Sequence, residues 1–172
     1  MSAAGGIVLW IDGYSDIFSD FDPRPYATRI VSDDFIAQVR RASREVSHQP
    51  NGLRLLVPEK IRSVQDEVII RQRLKSFFTE TSNGLRETLI TARRRGVFFA
   101  LAGFLLSLGA SYLKSLSAGG FAVTFIITLF EPAGWFLLWA GFDSLVLGLK
   151  EKGSEAAFFK RMAGIGIEFG SY

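Results

Sequence analysis

The chain has 172 residues, a formal net charge of +3 and no cysteine. Sixteen phenylalanines and three tryptophans make it rich in aromatic side chains, and 48% of its residues are hydrophobic. The lack of cysteine excludes disulfides, thiolate metal sites and a cysteine nucleophile. The basic residues flank apolar segments instead of forming a continuous patch, which favours a membrane partner over nucleic acid.

The first segment combines a short strand with an irregular acidic loop. Residues 7–11 (Ile-Val-Leu-Trp-Ile) form a β-type apolar run that ends at the turn signal Asp12-Gly13. The residues before this run carry neither the basic start nor the long apolar core of a signal peptide, so none is expected. Residues 12–31 are predicted to be irregular, because two closely spaced prolines, Pro23 and Pro25, exclude a helix there.

The acidic loop is the first candidate site. Its candidate residues for interaction or metal binding are Asp12, Asp16, Asp20, Asp22 and Arg24. Clustered carboxylates are typical ligands of Mg²⁺ or Ca²⁺, but this spacing matches neither an EF-hand nor a phosphate loop. A structural alternative is that the aspartates cap turns and pair with arginines, while Phe18, Phe21 and Tyr26 anchor the loop on the core. A docking surface is a third interpretation, since aromatic and arginine side chains are enriched in interfaces.

A helix and a second strand follow. Ser32 is predicted to cap a helix over residues 33–46, whose first turn is acidic. The single histidine, His48, lies in a Ser-His-Gln-Pro-Asn-Gly stretch and is expected to be a solvated loop residue, not a catalytic group. Residues 53–57 predict a second strand, which Pro58 ends.

A long helical pattern begins after this strand. Apolar residues recur from Ile61 to Leu89 at gaps close to three, four or seven. Ser82-Asn-Gly84 either splits the pattern into two helices or is absorbed at a cost of about 1 kcal/mol for the glycine. The apolar seam is expected to pack on the local sheet or, alternatively, on a neighbouring chain. The helix is expected to continue through Arg93–Arg95 into the first apolar segment.

Two apolar segments predict a transmembrane hairpin. Residues 96–113 contain no charge over 18 residues, and residues 115–130 contain none over another 16. A helix needs roughly 20 apolar residues to cross the hydrocarbon core. The predicted spans cover about residues 97–114 and 119–142, the second one kinked near Pro132. Several glycines in and around these spans are expected to let helices approach closely: Gly103, Gly109, Gly119, Gly120, Gly134 and Gly141.

Basic residues predict the orientation of the hairpin. Arg93, Arg94 and Arg95 directly precede the first span, and the short connection carries only Lys114. Four further basic residues follow the second span: Lys150, Lys152, Lys160 and Arg161. Because basic residues at the ends of spans mark the cytoplasmic side, both termini are expected in the cytoplasm and the chain in the cell inner membrane.

Polar residues in the second apolar segment are the second candidate site. Glu131 and Pro132 stand among apolar residues, and Asp143 follows twelve residues after Glu131. A charge at mid-bilayer costs on the order of 2.5–3.5 kcal/mol, and no basic residue is expected within either span to neutralise it. Glu131, Trp135, Trp139 and Asp143 are spaced by four, so they form a gently winding stripe on a helix.

Three explanations of Glu131 remain open at this point. Its carboxyl group could be protonated and serve as hydrogen-bonding glue between helices. Several copies could line a cation path in an oligomer. Alternatively, the chain could cross only to about residue 130 and bend at Pro132 into an interfacial helix, with Trp135 and Trp139 as membrane-interface residues alongside the arginines before the first span.

The tail completes the predicted fold. Residues 154–162 favour a short helix, and residues 165–169 alternate like a strand that could pair with either earlier strand. The predicted class is an α+β membrane protein: a two-helix transmembrane hairpin plus a small cytoplasmic α/β domain, formed from both termini, with about three strands and two to three helices. The predicted divisions are residues 1–92, 93–149 and 150–172.

These patterns indicate a small integral membrane protein that acts without enzymatic chemistry. It is expected to self-associate, as a scaffold or a small channel-like assembly, and to contact a protein partner through its cytoplasmic domain. The alternative is a membrane-anchored enzyme that uses the carboxylates of Asp12–Asp22 with a divalent cation. The expected partners are the lipid bilayer and further copies of the chain, and no nucleic acid; the sequence defines no cofactor.

Overall fold

In a computed structural model, the described residues are 6–46, 50–116 and 120–172, without the side chains of residues 147–151. This part of the chain combines α-helices with one three-stranded sheet, so the predicted α+β class is confirmed. The chain divides into two compact units, Met1–Asn83 with Ala157–Tyr172, and Gly84–Ala156. The predicted limits near residues 92 and 149 rest on membrane location, a different criterion, and stay a prediction. His48 and Gly119 lie outside the described residues.

The sheet joins the two ends of the chain. Its strands are β1 (Ile7–Trp10), β2 (Gly52–Val57) and β3 (Gly166–Ser171), in the order β1-β2-β3. Both pairs are parallel, and Ile7, Leu53 and Ile167 lie side by side in one row. The three-stranded sheet is confirmed, and the tail strand pairs with the second strand, not with the first.

The first helix begins where the sequence predicts. α1 covers Asp33–Glu45, and the Ser32 hydroxyl accepts a hydrogen bond from the backbone N–H of Phe35 at 3.5 Å. The connection between β1 and α1 holds a 3₁₀ turn, Tyr14–Ile17, and a single antiparallel bridge between Phe18 and Val31. The cap and the helix are therefore confirmed to within one residue.

Two long helices connect β2 to β3. α2 covers Val64–Ser115 over 52 residues, and α3 covers Phe121–Gly164 over 44 residues. The possible break at Asn83-Gly84 does not occur, since α2 continues through it with nothing within 4 Å of a Cβ added at Gly84. The separate tail helix at 154–162 was wrong, because these residues are the end of α3.

α3 also continues as helix through Pro132. A proline in a helix removes only its own N–H bond and strains the carbonyl four residues earlier. The neighbouring turns keep their hydrogen bonds, and this explains why one proline does not end the helix. The kink near Pro132 stays a prediction.

One face of the sheet forms the core of the α/β unit. Leu55 and Val57 of β2 are fully buried, and Ile7 and Ile167 are nearly so. The helical residues that are fully or almost fully buried are Val39, Ile70, Leu74, Phe78 and Met162. The apolar seam of α2 at residues 70–78 is thus buried within the single chain, so these residues do not require a neighbouring chain to cover them.

Glycines bring α2 and α3 into direct backbone contact in the second unit. A Cβ added at Gly103 would lie 2.5 Å from the backbone nitrogen of Leu138, and one at Gly141 would lie 2.5 Å from that of Ala100. A Cβ added at Gly134 would meet the Ser107 hydroxyl and lie 3.1 Å from the backbone carbonyl oxygen of Gly103. Small residues allow this close approach of membrane helices. Gly96, which the sequence analysis did not single out, belongs to the same contact, whereas Gly109 and Gly120 have nothing within 4 Å and play no part in it.

The outer surface of this unit is apolar. α2 and residues 121–146 of α3 are each long and apolar enough to cross a membrane, and their most apolar windows are only 17% and 6% buried. Large exposed side chains cover both helices: Phe98, Leu101, Phe104, Leu105, Leu108, Phe125, Leu129, Trp135, Phe136, Trp139 and Phe142. The helices therefore turn small residues toward each other and large ones outward.

The glycine contact predicts opposite effects for two similar substitutions. Gly103→Ala places a methyl group against backbone atoms that cannot rotate away, so it should destabilise the hairpin by about 1–3 kcal/mol. Gly109→Ala, in the same helix but in open space, should be neutral or stabilise by up to about 1 kcal/mol. Unfolding of the full chain by sodium dodecyl sulfate in mixed micelles measures both. Equal effects of the two substitutions would contradict the contact.

Candidate functional site

The acidic loop consists of two separate hydrogen-bonded clusters. The Asp16 carboxylate accepts hydrogen bonds from the backbone N–H groups of Asp12 at 2.8 Å and Gly13 at 3.0 Å. It therefore caps the 3₁₀ turn that follows β1. Asp20 is exposed and makes no hydrogen bond to any described residue.

Asp22 forms the second cluster. Its buried carboxylate accepts from Nε and Nη2 of Arg24 at 2.9 and 2.8 Å, and from the backbone N–H of Ile30 at 2.7 Å. The hydrogen-bonded Arg24 guanidinium holds the pKa of Asp22 far below its usual range. Nη2 of Arg29 donates to the carbonyl of Ser19 at 3.1 Å instead of to a carboxylate. These bonds close the loop on itself.

The aromatic residues of the loop differ in how far they are buried. Phe18 is buried and stacks on Tyr26, with ring centroids 5.4 Å apart. Phe21 is 97% exposed, so the expectation that it anchors the loop was wrong. It stands next to Asp22, whose carboxylate is turned into the loop and accepts a hydrogen bond from the backbone N–H of Ile30.

The four aspartates do not form one metal site. Within residues 6–46, 50–116 and 120–172, no group of three or more acidic or histidine side chains is placed to hold a metal ion. Asp16 and Asp22 are occupied with the hydrogen bonds that shape their own turns. The geometry thus lends no support to metal binding by Asp12–Asp22.

A buried polar network that the sequence analysis missed fixes the start of α2. The Glu67 carboxylate is 5% exposed and accepts from Nε of Arg62 at 2.8 Å and from the Tyr14 hydroxyl at 3.1 Å. The same hydroxyl accepts from the backbone N–H of Ser63 at 3.0 Å. The bond from Arg62 lowers the pKa of Glu67, and burial raises the pKa of Tyr14. The network joins the loop after β1 to the first turn of α2.

The second face of the sheet is open. Alternate residues of the strands lie on it, and Val8 is 42%, Trp10 68% and Tyr172 48% exposed. Trp10 and Tyr172 contact each other, with ring centroids 4.7 Å apart. Parallel sheets normally have both faces covered, so an uncovered face is a candidate interaction surface. We call it the open sheet face, and its residues are Val8, Trp10, Arg54, Leu56, Glu168 and Tyr172.

Two opposite charges lie in one row of this face. The register places Val8, Arg54 and Glu168 side by side on the three strands. Arg54 and Glu168 are exposed, and neither forms an ion pair with a described residue. The Arg54 side chain extends along the sheet, since its Nε would be 3.0 Å from a Cβ added at Gly170. The face therefore carries both signs of charge beside exposed aromatic rings.

Glu131 has a partner that the sequence analysis did not expect. Nζ of Lys114, a residue in the last turn of α2, lies 3.3 Å from Oε1 of Glu131. The Lys114 side chain is 69% exposed and that of Glu131 51%. The sequence analysis placed no basic residue within either span and assigned Lys114 to the connection; Lys114 nevertheless reaches Glu131, because a lysine near the helix end can extend its flexible stem along apolar surface.

The other residues of the stripe lie on the outside of the second unit. Trp135 and Trp139 are 69% and 67% exposed, and Asp143 is exposed as well. The three arginines predicted at the membrane interface, Arg93, Arg94 and Arg95, are exposed within α2. The helix thus runs through them as predicted.

No protein-family model matches the chain, and neither a curated protein nor a solved structure is significantly similar to it. A functional hypothesis therefore rests on three features of the structure itself: the apolar exterior of the hairpin, the Lys114–Glu131 pair and the open sheet face.

The Asp22 cluster predicts a loss of stability in acid. Because the pKa of Asp22 is lower in the folded state than the value of about 3.9 expected when unfolded, the unfolded state binds the proton more readily. Its contribution is complete above about pH 4 and is lost as the pH falls further. Asp22→Asn should lower the thermal midpoint at pH 7 and reduce its decline between pH 5 and pH 3.

Asp20→Asn is the matched control for this measurement, because Asp20 is exposed in the same loop. Thermal unfolding of the full chain in detergent, followed at several pH values, compares the two variants. An unchanged midpoint for Asp22→Asn, or an equal change for Asp20→Asn, would show that the Arg24–Asp22 cluster does not stabilise the fold.

Proposed function

We propose that the chain is an integral membrane protein that acts as a non-enzymatic, self-associating scaffold. The hairpin of α2 and α3 lies in lipid, and the α/β unit presents the open sheet face. The observation that carries this proposal is the placement of small residues inside the second unit and of large apolar residues on its surface. Glycines on both helices meet in the interior, while phenylalanine, leucine and tryptophan side chains cover the exterior.

Water would not favour this arrangement. Full burial of a large apolar side chain is worth about 1.5–3 kcal/mol, so a soluble hairpin would turn such residues inward. In lipid the surroundings are as apolar as leucine, and close packing of small residues becomes the main force that joins helices. The exterior aromatic rings and the interior glycines both agree with a lipid environment.

The distribution of basic residues supports an orientation. Arg93–Arg95 near the start of the apolar part of α2, and Lys152, Lys160 and Arg161 in the last part of α3, follow the pattern of the cytoplasmic side. We therefore propose the cell inner membrane as the location, with the α/β unit and both ends of the chain in the cytoplasm.

The membrane proposal predicts extraction and topology. The chain should stay in the membrane fraction after a carbonate wash and dissolve only with detergent. Reporters that work only in the cytoplasm should be active when fused before Met1 and after Tyr172. A chain that remains dispersed in buffer without detergent, or a reporter active outside the cell at either end, would overturn the proposal.

Self-association is proposed through the open sheet face, with a second copy as the occupant. Its charges are self-complementary: around a two-fold axis, Arg54 of each copy can meet Glu168 of the other. Such an isologous contact joins the same patch on both subunits. Two stacked sheets pack about 10 Å apart, which brings Trp10 and Tyr172 of both copies into the contact. Tethering in one membrane raises the effective concentration of the second copy.

The two charges predict a rescue experiment. Arg54→Glu and Glu168→Arg should each place like charges opposite one another and weaken the dimer. The double variant restores opposite charges across the interface, so it should recover the dimer. Particle mass in a mild detergent, measured by light scattering, reports the outcome. Arg41→Glu, which makes the same charge reversal at an exposed position on α1, is the control. If both single variants keep the wild-type mass, another surface joins the copies.

A channel-like assembly is the second candidate. The observation that favours it is the Lys114–Glu131 ion pair, which is half-exposed on an apolar exterior. Charged groups in membrane segments normally face protein or water, so further copies around this pair would give it a polar environment. The same mass measurement separates the candidates, because a closed ring of several copies favours the channel and a dimer favours the scaffold.

A further inference from the structure

We propose that a groove on α2 binds one anionic phospholipid, with the phosphate on Arg94 and an acyl chain on the apolar turns that follow. This inference rests on the proposed membrane function. The groove has a volume of about 720 Å³. It is lined by Thr91, by the three arginines Arg93–Arg95, and by Val97, Phe98 and Leu101.

The spacing of these residues matches the shape of a lipid. Val97, Phe98 and Leu101 follow Arg94 by three, four and seven residues, so they lie on the same face of the helix. The Arg94 guanidinium is thus followed along the helix by two turns of apolar surface, just as the phosphate of a phospholipid is followed by its acyl chains. Val97 is 41%, Phe98 67% and Leu101 57% exposed, so this surface is free to be covered.

The groove faces away from the helix partner. Gly96 and Gly103, which pack against α3, are two and nine residues after Arg94. At 3.6 residues per turn, both positions fall on the opposite side of α2. The groove is therefore on the lipid-facing side of the hairpin, where an annular lipid can enter it without disturbing the glycine contact.

Charge selects the headgroup. The arginines are the only charged residues between Glu87 and Lys114, and none of them forms an ion pair with a described residue. Arginine binds a phosphate through two parallel N–H groups. Arg93 and Arg95 flank this position, so they would repel the ammonium group of a zwitterionic lipid. A lipid whose headgroup has a net negative charge fits the site.

The experiment uses the full chain in detergent and native mass spectrometry with two lipids of identical chains, dioleoylphosphatidylglycerol and dioleoylphosphatidylcholine. The wild-type chain should retain phosphatidylglycerol in preference. Arg94→Gln should weaken that binding about fivefold, the factor expected for one basic residue at an anionic surface. Arg86→Gln, in the same helix but outside the groove, should change it less than Arg94→Gln does. Phe98→Ala should weaken the binding of both lipids.

Each other result overturns the inference. Equal retention of both lipids, or an equal loss with Arg86→Gln, would mean that the positive charge acts without a site. Displacement of the lipid by excess inorganic phosphate would assign the arginines to a soluble anion. If Arg94→Gln fails to insert into the membrane, the inference is tested with Arg94→Lys and with the lipid preference of the wild-type chain. A wild-type chain that is soluble without detergent refutes the proposed function, whereas an inserted chain without lipid preference refutes only this inference.

Discussion

The backbone contact between α2 and α3 is the constraint on which the second unit depends. At Gly103 and Gly141 an added Cβ would lie 2.5 Å from a backbone nitrogen of the opposite helix, so no side chain can separate the helices there. Since the interior has no room for large residues, the phenylalanines and tryptophans are left on the outside. The groove on α2 lies on the side of the helix that the glycines leave free.

The α/β unit depends on the same two helices in another way. Parallel strands cannot be joined by a tight turn and need a crossover connection. α1 lies in the crossover from β1 to β2, and the crossover from β2 to β3 is the whole α2–α3 pair. The Glu67 network fixes where that long connection begins, by joining the first turn of α2 to Tyr14 and Arg62 near the sheet. One face of the sheet is then buried and the other stays open.

Much of the fold follows from local pattern. The apolar runs at 7–11 and 53–57, the alternation at 165–169 and the cap at Ser32 predicted elements that the structure confirms to within one or two residues. Polar contacts between residues far apart in the chain have no local pattern in the sequence that would predict them. Glu67 is 53 residues from Tyr14, and Lys114 is 17 residues from Glu131, so their meeting depends on tertiary packing. Phe21 shows the converse, since an aromatic residue in a loop predicts burial, yet its side chain is 97% exposed. The open sheet face could not be foreseen, because the pattern that marks a strand does not say what covers each of its two faces.

The place of β3 in the chain order has a consequence for biosynthesis. The central strand β2 needs β3 on one side, but β3 leaves the ribosome only after both apolar helices. Until then, an edge of β2 with its unpaired backbone groups stands exposed to other nascent chains, a known route to aggregation. If the hairpin inserts into a membrane as proposed, its helices reach the translocation machinery before the sheet is complete, and a delay at that step would prolong the exposure of the β2 edge.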